Sequence, residues 1–240
     1  MTTSVVAPRT DSPDVEGKPE DLDLGTPGAG ARREHERRKS RREAKTREDH
    51  PHLGGFLLRL QDEPQREKAW RDGAVGEEAV ASHLAKTCPD VVVLHDRRMP
   101  RSRANIDHIA IAPSGVFVID AKRCKGKIEV RRPLFGHAKL VIRGRDKTKL
   151  VDGLRRQVEA VRAGLAVVEQ NVPVGGCFCF INPDGQAGGS GIPLFRTLSI
   201  DGLPLFYPRK LSKHLHRPGP LNDERIEVLT EALIELFPSA

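Results

Sequence analysis

Two aspartates and a lysine stand at a spacing that suits a divalent-cation site. Asp107 lies in NIDHIAI (Asn105–Ile111), and Asp120 and Lys122 lie in VFVIDAK (Val116–Lys122). Both are short β-branched runs, and Ala112-Pro113-Ser114-Gly115 between them is turn chemistry, so a hairpin is predicted. If the turn pairs Ile111 with Val116, Asp107 falls opposite Asp120, with Cβ atoms about 4.5–5.5 Å apart. Two carboxylates so placed repel, and a divalent cation between them reverses the sign. Hard oxygen donors suit Mg²⁺ or Mn²⁺ rather than zinc. Lys122, two residues beyond Asp120, projects from the same face of its strand. The bland alternative is an Asp–Lys ion pair on a solvated sheet face.

The elements that must position these groups follow from periodicity. Residues 66–87 read as a helix from about Gly73, with Val80, Ala81 and Leu84 as its buried stripe. Glu77 falls on that stripe, whereas Glu78 is turned about 100° away toward solvent. A Glu on a buried stripe needs a partner, and a metal at Asp107 and Asp120 is one; an exposed first-turn Glu is the other reading. Further strands are expected at Val91–Asp96, Ile128–Val130, Leu140–Ile142, Gly176–Ile181 and Thr197–Ile200. Helices are expected at Thr148–Val168 and at Asp223–Phe237, the latter capped by Asn222 or Asp223. The order implies an α/β fold, helices packed around a mixed sheet. His108 points away from Asp107 and reads as a packed core histidine. Cys177 and Cys179 read as buried thiols, Trp70 as core or helix-start packing, and Gly188-Gly189-Ser190-Gly191 as a linker.

Three strings in order, Gly73-Ala74-Val75-Gly76-Glu77, Ile106-Asp107-His108-Ile109 and Gly115 through Lys122, resemble the nuclease-related domain (NERD) family. That family is assigned to the PD-(D/E)xK nuclease superfamily, and the resemblance spans roughly residues 70–182. It implies a restriction-endonuclease-like mixed sheet flanked by helices, with Asp107 and Asp120 as metal-binding acids, Lys122 as catalytic lysine and Glu77 as the helix carboxylate. Gln157 matches a polar helix position in the family and would meet metal-bound water or phosphate. Ile106 stands where the superfamily motif names a proline. The implied activity is a divalent-metal-dependent hydrolase, endo- or exonuclease, with a cation at Asp107, Asp120, Glu77 and the Ala121 carbonyl. Lys122 would orient or deprotonate the attacking water, or stabilise developing charge. Enzymes of this fold type often pair to cut both strands, so a homodimer is one expectation.

Composition sets the partners. The 240 residues carry a net charge of +7, and residues 101–150 hold thirteen Lys or Arg against four acids. Such concentration points to a polyanion, DNA first, with Arg123, Lys125 and Lys127 gripping the backbone without reading bases. Aromatic residues at 4% argue against serial base stacking. The alternative function is a nucleic-acid-binding protein of this kind without significant turnover. No apolar run is long enough to span a membrane, no secretory signal is visible, and four cysteines make no disulfide scaffold, so a cytoplasmic location is expected. Residues 1–30 are acidic and without periodicity; residues 31–50 carry nine Lys or Arg against five acids and no apolar face. Residues 1–50 are therefore predicted to be a disordered charged tail, a nucleic-acid-binding arm being the alternative, followed by a lead-in over 51–69 and a domain over 70–240.

Overall fold

The hairpin register fixes the centre of the fold. In a computed structural model of the chain, which describes residues 22–60, 64–133, 136–182, 192 and 197–240, Ile111 pairs with Val116 and Ala112 with Gly115. The two turn residues are Pro113 and Ser114, and the ladder runs to His108 opposite Ile119. Regular pairing ends there, one step before the Asp107–Asp120 pair that the sequence predicts.

In chain order the elements are α1 (Ala29–Asp49), α2 (Gly54–Leu60), α3 (Gln65–Thr87), β1 (Val92–Arg98), β2 (Asn105–Ala112) and β3 (Gly115–Arg123). Then come β4 (Ile128–Arg131), β5 (Lys139–Ile142), β6 (Arg145–Asp146), α4 (Thr148–Val168) and β7 (Val174–Ile181). The chain closes with β8 (Leu198–Ile200), β9 (Leu203–Phe206), α5 (Pro208–Leu215) and α6 (Asp223–Leu236). Six strands form one mixed sheet in the order β1-β2-β3-β7-β9-β8. β1, β2 and β3 are antiparallel, whereas β7 runs parallel to both β3 and β9. A second sheet, β4-β5-β6, is built from the basic segment after β3.

Each face of the large sheet has its own core. On one face α4 buries Val151, Leu154, Val158, Val161 and Leu165, recurring every three or four residues, and packs with α6 against Ile109, Ile111, Val116, Val118, Phe178 and Phe180. Gly176 permits this close approach: a Cβ there would stand 2.4 Å from Val158 Cγ2. The other face takes α3 and α5, with Val80, Leu84 and Leu211 against Ala110, Ala112, Ile119, Ala121, Cys177 and Cys179. The four cysteines are buried and unpaired. His108 is fully buried, its Nδ1 2.9 Å from His95 Nδ1. Burial drives His108 well below its ordinary range and His95 to about 4, so both are neutral in the core. The side chain of Asn222 caps α6 by accepting from the Arg225 N–H.

Several elements differ from the sequence expectation. α3 begins at Gln65, eight residues before Gly73, because its first turns are covered by α1 rather than by the sheet. α2, the short strands β6 and β9, and α5 carry too few residues for a periodic signal. Trp70 is 39% exposed, with the Arg38 guanidinium over its ring, and is not a core residue.

The largest correction concerns the expected tail. Residues 1–21 lie outside the described residues, as does the predicted linker Gly188–Gly191. Residues 29–49, however, form α1, and its docking is polar. Arg32 pairs with Glu78, Arg33 lies 3.1 Å from Asp96, Arg42 lies 2.9 Å from Glu67, and the Gly30 N–H donates to Asp96 at 2.6 Å. An apolar face is what periodicity detects, and α1 has almost none; charge complementarity with α3 and β1 takes its place.

Candidate active site

Three short elements converge on the end of the β2–β3 hairpin. Asp107 and Asp120 lie on the face of their strands that also carries Ile109, Val118 and Val116. This apolar surround makes each carboxylate expensive to charge. Asp107 Oδ2 accepts the Ala121 N–H at 2.9 Å, which closes the ladder where regular pairing stops. Lys122 Nζ contacts Asp120 Oδ1, lies 3.7 Å from Asp107 Oδ2 and donates to the Ala121 carbonyl at 3.2 Å. The ammonium thus occupies the position between two opposed acids.

Glu77, on α3 at the opposite face of the sheet, lies close enough to this end for the charges of Asp107, Lys122 and Asp120 to act on it. The helix can approach because residue 76 is glycine: a Cβ there would meet the backbone nitrogen and the Cβ of Arg123, both at 3.2 Å. Glu77 is half-buried, and desolvation raises its carboxyl to about 8, helped by the negative charges of Asp107, Asp96 and Asp120 and opposed by Lys122. Desolvation likewise lifts Asp107 to about 6; the attraction of Lys122 and the Ala121 hydrogen bond offset this only in part. The Lys122 ammonium is pushed up by its acid partners despite its burial, and therefore stays charged throughout the working pH range.

Further polar contacts hold this end of the sheet. Asp96, in a left-handed backbone conformation with φ of 47°, is buried and accepts from Asn105 Nδ2 at 2.8 Å as well as from α1. Gln157 on α4 donates through Nε2 to the Asn105 carbonyl at 3.0 Å, and its Oε1 is buried with no hydrogen-bond partner among the described residues. Gln157 is therefore tied to the strand two residues before Asp107. Asp96 and Asn105 escaped the sequence reading. The signal for Asp96 was an acid closing the β-branched run VVVLHD, where a strand end has no obvious use for a buried charge.

The predicted backbone-gripping residues are placed less centrally. Arg123 pairs with Asp72 at 2.8 Å and so helps to fix α3 against β3. Lys125 and Lys127 are exposed between β3 and β4, Lys127 lying 2.7 Å from Glu129. Among the described residues, no group of three or more His, Cys, Asp or Glu side chains is arranged to hold a metal ion. The donor chemistry nevertheless fits a hard divalent cation: two carboxylates and a backbone carbonyl already surround one positive charge, with a third carboxyl of raised proton affinity beside them.

The α/β domain thus carries paired acids and a lysine at one end of the hairpin in its mixed sheet. Residues 72–181 match the family model described as nuclease-related domain. Comparison with curated proteins gives no match, and comparison with solved structures gives none. Among the described residues no helix is long and apolar enough to cross a membrane.

Proposed function

We propose that the protein is a divalent-metal-dependent nuclease that hydrolyses phosphodiester bonds in DNA in the cytoplasm. The observation that carries this reading is the Lys122 ammonium held between Asp107 and Asp120 inside a nuclease-related domain. Asp107, Asp120 and the Ala121 carbonyl would hold Mg²⁺ or Mn²⁺, with Glu77 beside them. When bound, the ion supplies positive charge against the phosphoryl oxygens as hydrolysis proceeds.

The chain's own residues do the rest. Lys122 is charged at working pH, which removes it as a proton acceptor; it acts as a hydrogen-bond donor and a fixed positive charge toward the phosphoryl group. Glu77, whose proton affinity is raised, is suited to take the proton of the attacking water. Water oxygen bonds to phosphorus, the bond to the leaving oxygen breaks, and that oxygen leaves with a proton from solvent. Gln157 Oε1, with no hydrogen-bond partner among the described residues, can accept from a water at the margin of the site.

Incubating the full chain with supercoiled plasmid and Mg²⁺ or Mn²⁺ tests this. Nicking or degradation is expected, abolished by chelation and by Asp120→Asn or Lys122→Met. Cleavage that survives both substitutions would sink the assignment. One observation favours a second reading, binding without turnover: Lys122 already neutralises the acids in the space a metal ion would share. That reading expects salt-dependent DNA binding and no cleavage with any divalent metal.

A further inference from the structure

A second concentration of positive charge lies outside residues 72–181, on α1. A cleft of about 480 Å³ opens between α1 and the first turn of α3, lined by Arg37, Arg38, Arg41, Arg42 and Lys45 against only Asp49 and Glu67. Part of this charge is spent internally: Arg37 and Arg38 both contact Glu34, and Arg42 faces the buried Glu67. Arg41 and Lys45 are exposed and make no ion pair among the described residues. Five cations gathered on one stretch of helix repel one another, and nothing in the packing of α1 requires Arg41 or Lys45. The interspersed acids Glu34 and Glu43 pair with Arg37, Arg38 and Arg47, which leaves Arg41 and Lys45 without an acid partner among the described residues.

We propose that this cleft binds the phosphate backbone of a nucleic-acid strand, as a second contact outside the nuclease-related domain. The inference rests on the nucleic-acid reading above and extends it. Arg37, Arg41 and Lys45 recur every four residues, a rise of about 6 Å per step along the helix, comparable with the spacing of phosphates along an extended strand. Glu67 in the cleft and Glu77 at the acids are ten residues apart on one helix, about 15 Å. A single strand a few nucleotides long spans that distance, so one substrate can occupy both places. The cations would fix the strand without reading bases. A free inorganic polyphosphate shares the chemistry and is separated by the experiment.

The cleft has a built-in reporter. Trp70, the single tryptophan of the chain, carries the Arg38 guanidinium 5.6 Å from its ring centroid, and Arg38 lines the cleft. A phosphate drawing Arg38 away changes the surroundings of the indole.

The test is a titration of the full chain with a twelve-residue oligothymidylate in EDTA at 0.1 M salt, following Trp70 emission. A saturable change is expected. Lys45→Gln should weaken binding about fivefold and the Arg41→Gln/Lys45→Gln pair about 25-fold, with the salt slope reduced by about 1.4, at roughly 0.7 per phosphate contact on a single strand. Both residues are exposed and make no ion pair among the described residues, so unchanged circular dichroism is expected. Oligothymidylate binding that leaves Trp70 silent and is indifferent to the paired substitution would overturn the proposal while leaving the nuclease reading intact. Inorganic polyphosphate changing Trp70 emission where oligothymidylate does not would overturn the nucleic-acid assignment of the cleft. Absence of any oligothymidylate binding by the parent would overturn the cleft proposal, and the plasmid cleavage assay then decides the nuclease reading separately.

Discussion

Glu77→Gln separates the electrostatics of the site from its chemistry. The Glu77 carboxyl sits at about 8 in the folded protein against an ordinary 4.5. Raised in this way, it binds its proton more tightly folded than unfolded. Its environment therefore costs nothing below about pH 4.5, the cost grows as pH rises, and it is complete above about pH 8. At 1.36 kcal/mol per pH unit the gap corresponds to roughly 5 kcal/mol. Glu77 is half-buried and its charge is partly relieved by water, so about 2–4 kcal/mol is the expected loss. In a chain of this size that is roughly 5–15 °C in melting temperature. Gln keeps the shape of the side chain and never ionises. Metal-free Glu77→Gln should therefore melt above the parent at pH 8.5 and with it at pH 5, followed by calorimetry or circular dichroism in EDTA. Adding Mg²⁺ at pH 8.5 should raise the parent more than the variant and narrow the gap, because a ligand binding only the native state stabilises it. Parallel melting curves across pH would refute the reasoning, since Glu77 would then not face the acids.

Other consequences follow from the same geometry. Divalent-metal affinity, measured by calorimetric titration, should rise between pH 6 and 8 as Asp107 and Glu77 lose protons in the free protein, and level off above. Lys122→Met removes the only charge lowering both carboxyls and should push Asp107 above about 6, read from its carboxyl carbon shift by NMR against pH; an unmoved titration would show that the lysine is not near it. Gly76→Ala forces α3 away from the Arg123 backbone by a few tenths of an ångström. It should cost about 1–3 kcal/mol in denaturant unfolding and weaken metal binding through displacement of Glu77. Because α1 docks through ion pairs whose arginines are exposed or half-exposed, 1 M salt should weaken them and speed tryptic cleavage within residues 29–49 while the sheet stays protected; equal cleavage at low and high salt would mean that other contacts hold the helix.

Much of the site was legible because it is built from local rules. A two-residue turn sets the register of β2 and β3, and strand alternation puts Asp120 and Lys122 on one face. Helical spacing turns Glu77 inward with Val80 and Leu84, and the Arg32–Glu78 pair shows Glu78 turned outward. What escaped was held by contacts between distant residues. Asp96 becomes a buried acid only because Gly30, Arg33 and Asn105 meet there. Gln157 is fixed by a carbonyl 52 residues away. α1, read as a tail for want of an apolar stripe, is placed by acids on α3 and β1.

The sequence by itself determined the hairpin, its facing acids and the lysine beside them, since each depends on neighbours a few residues away and on the two-residue period of a strand. Only the tertiary structure decided where the helices lie: that α3 comes close enough at Gly76 for Glu77 to join the acids, and that a charged helix docks to form a basic cleft. Those placements depend on long-range desolvation and charge pairing, which no local periodicity encodes.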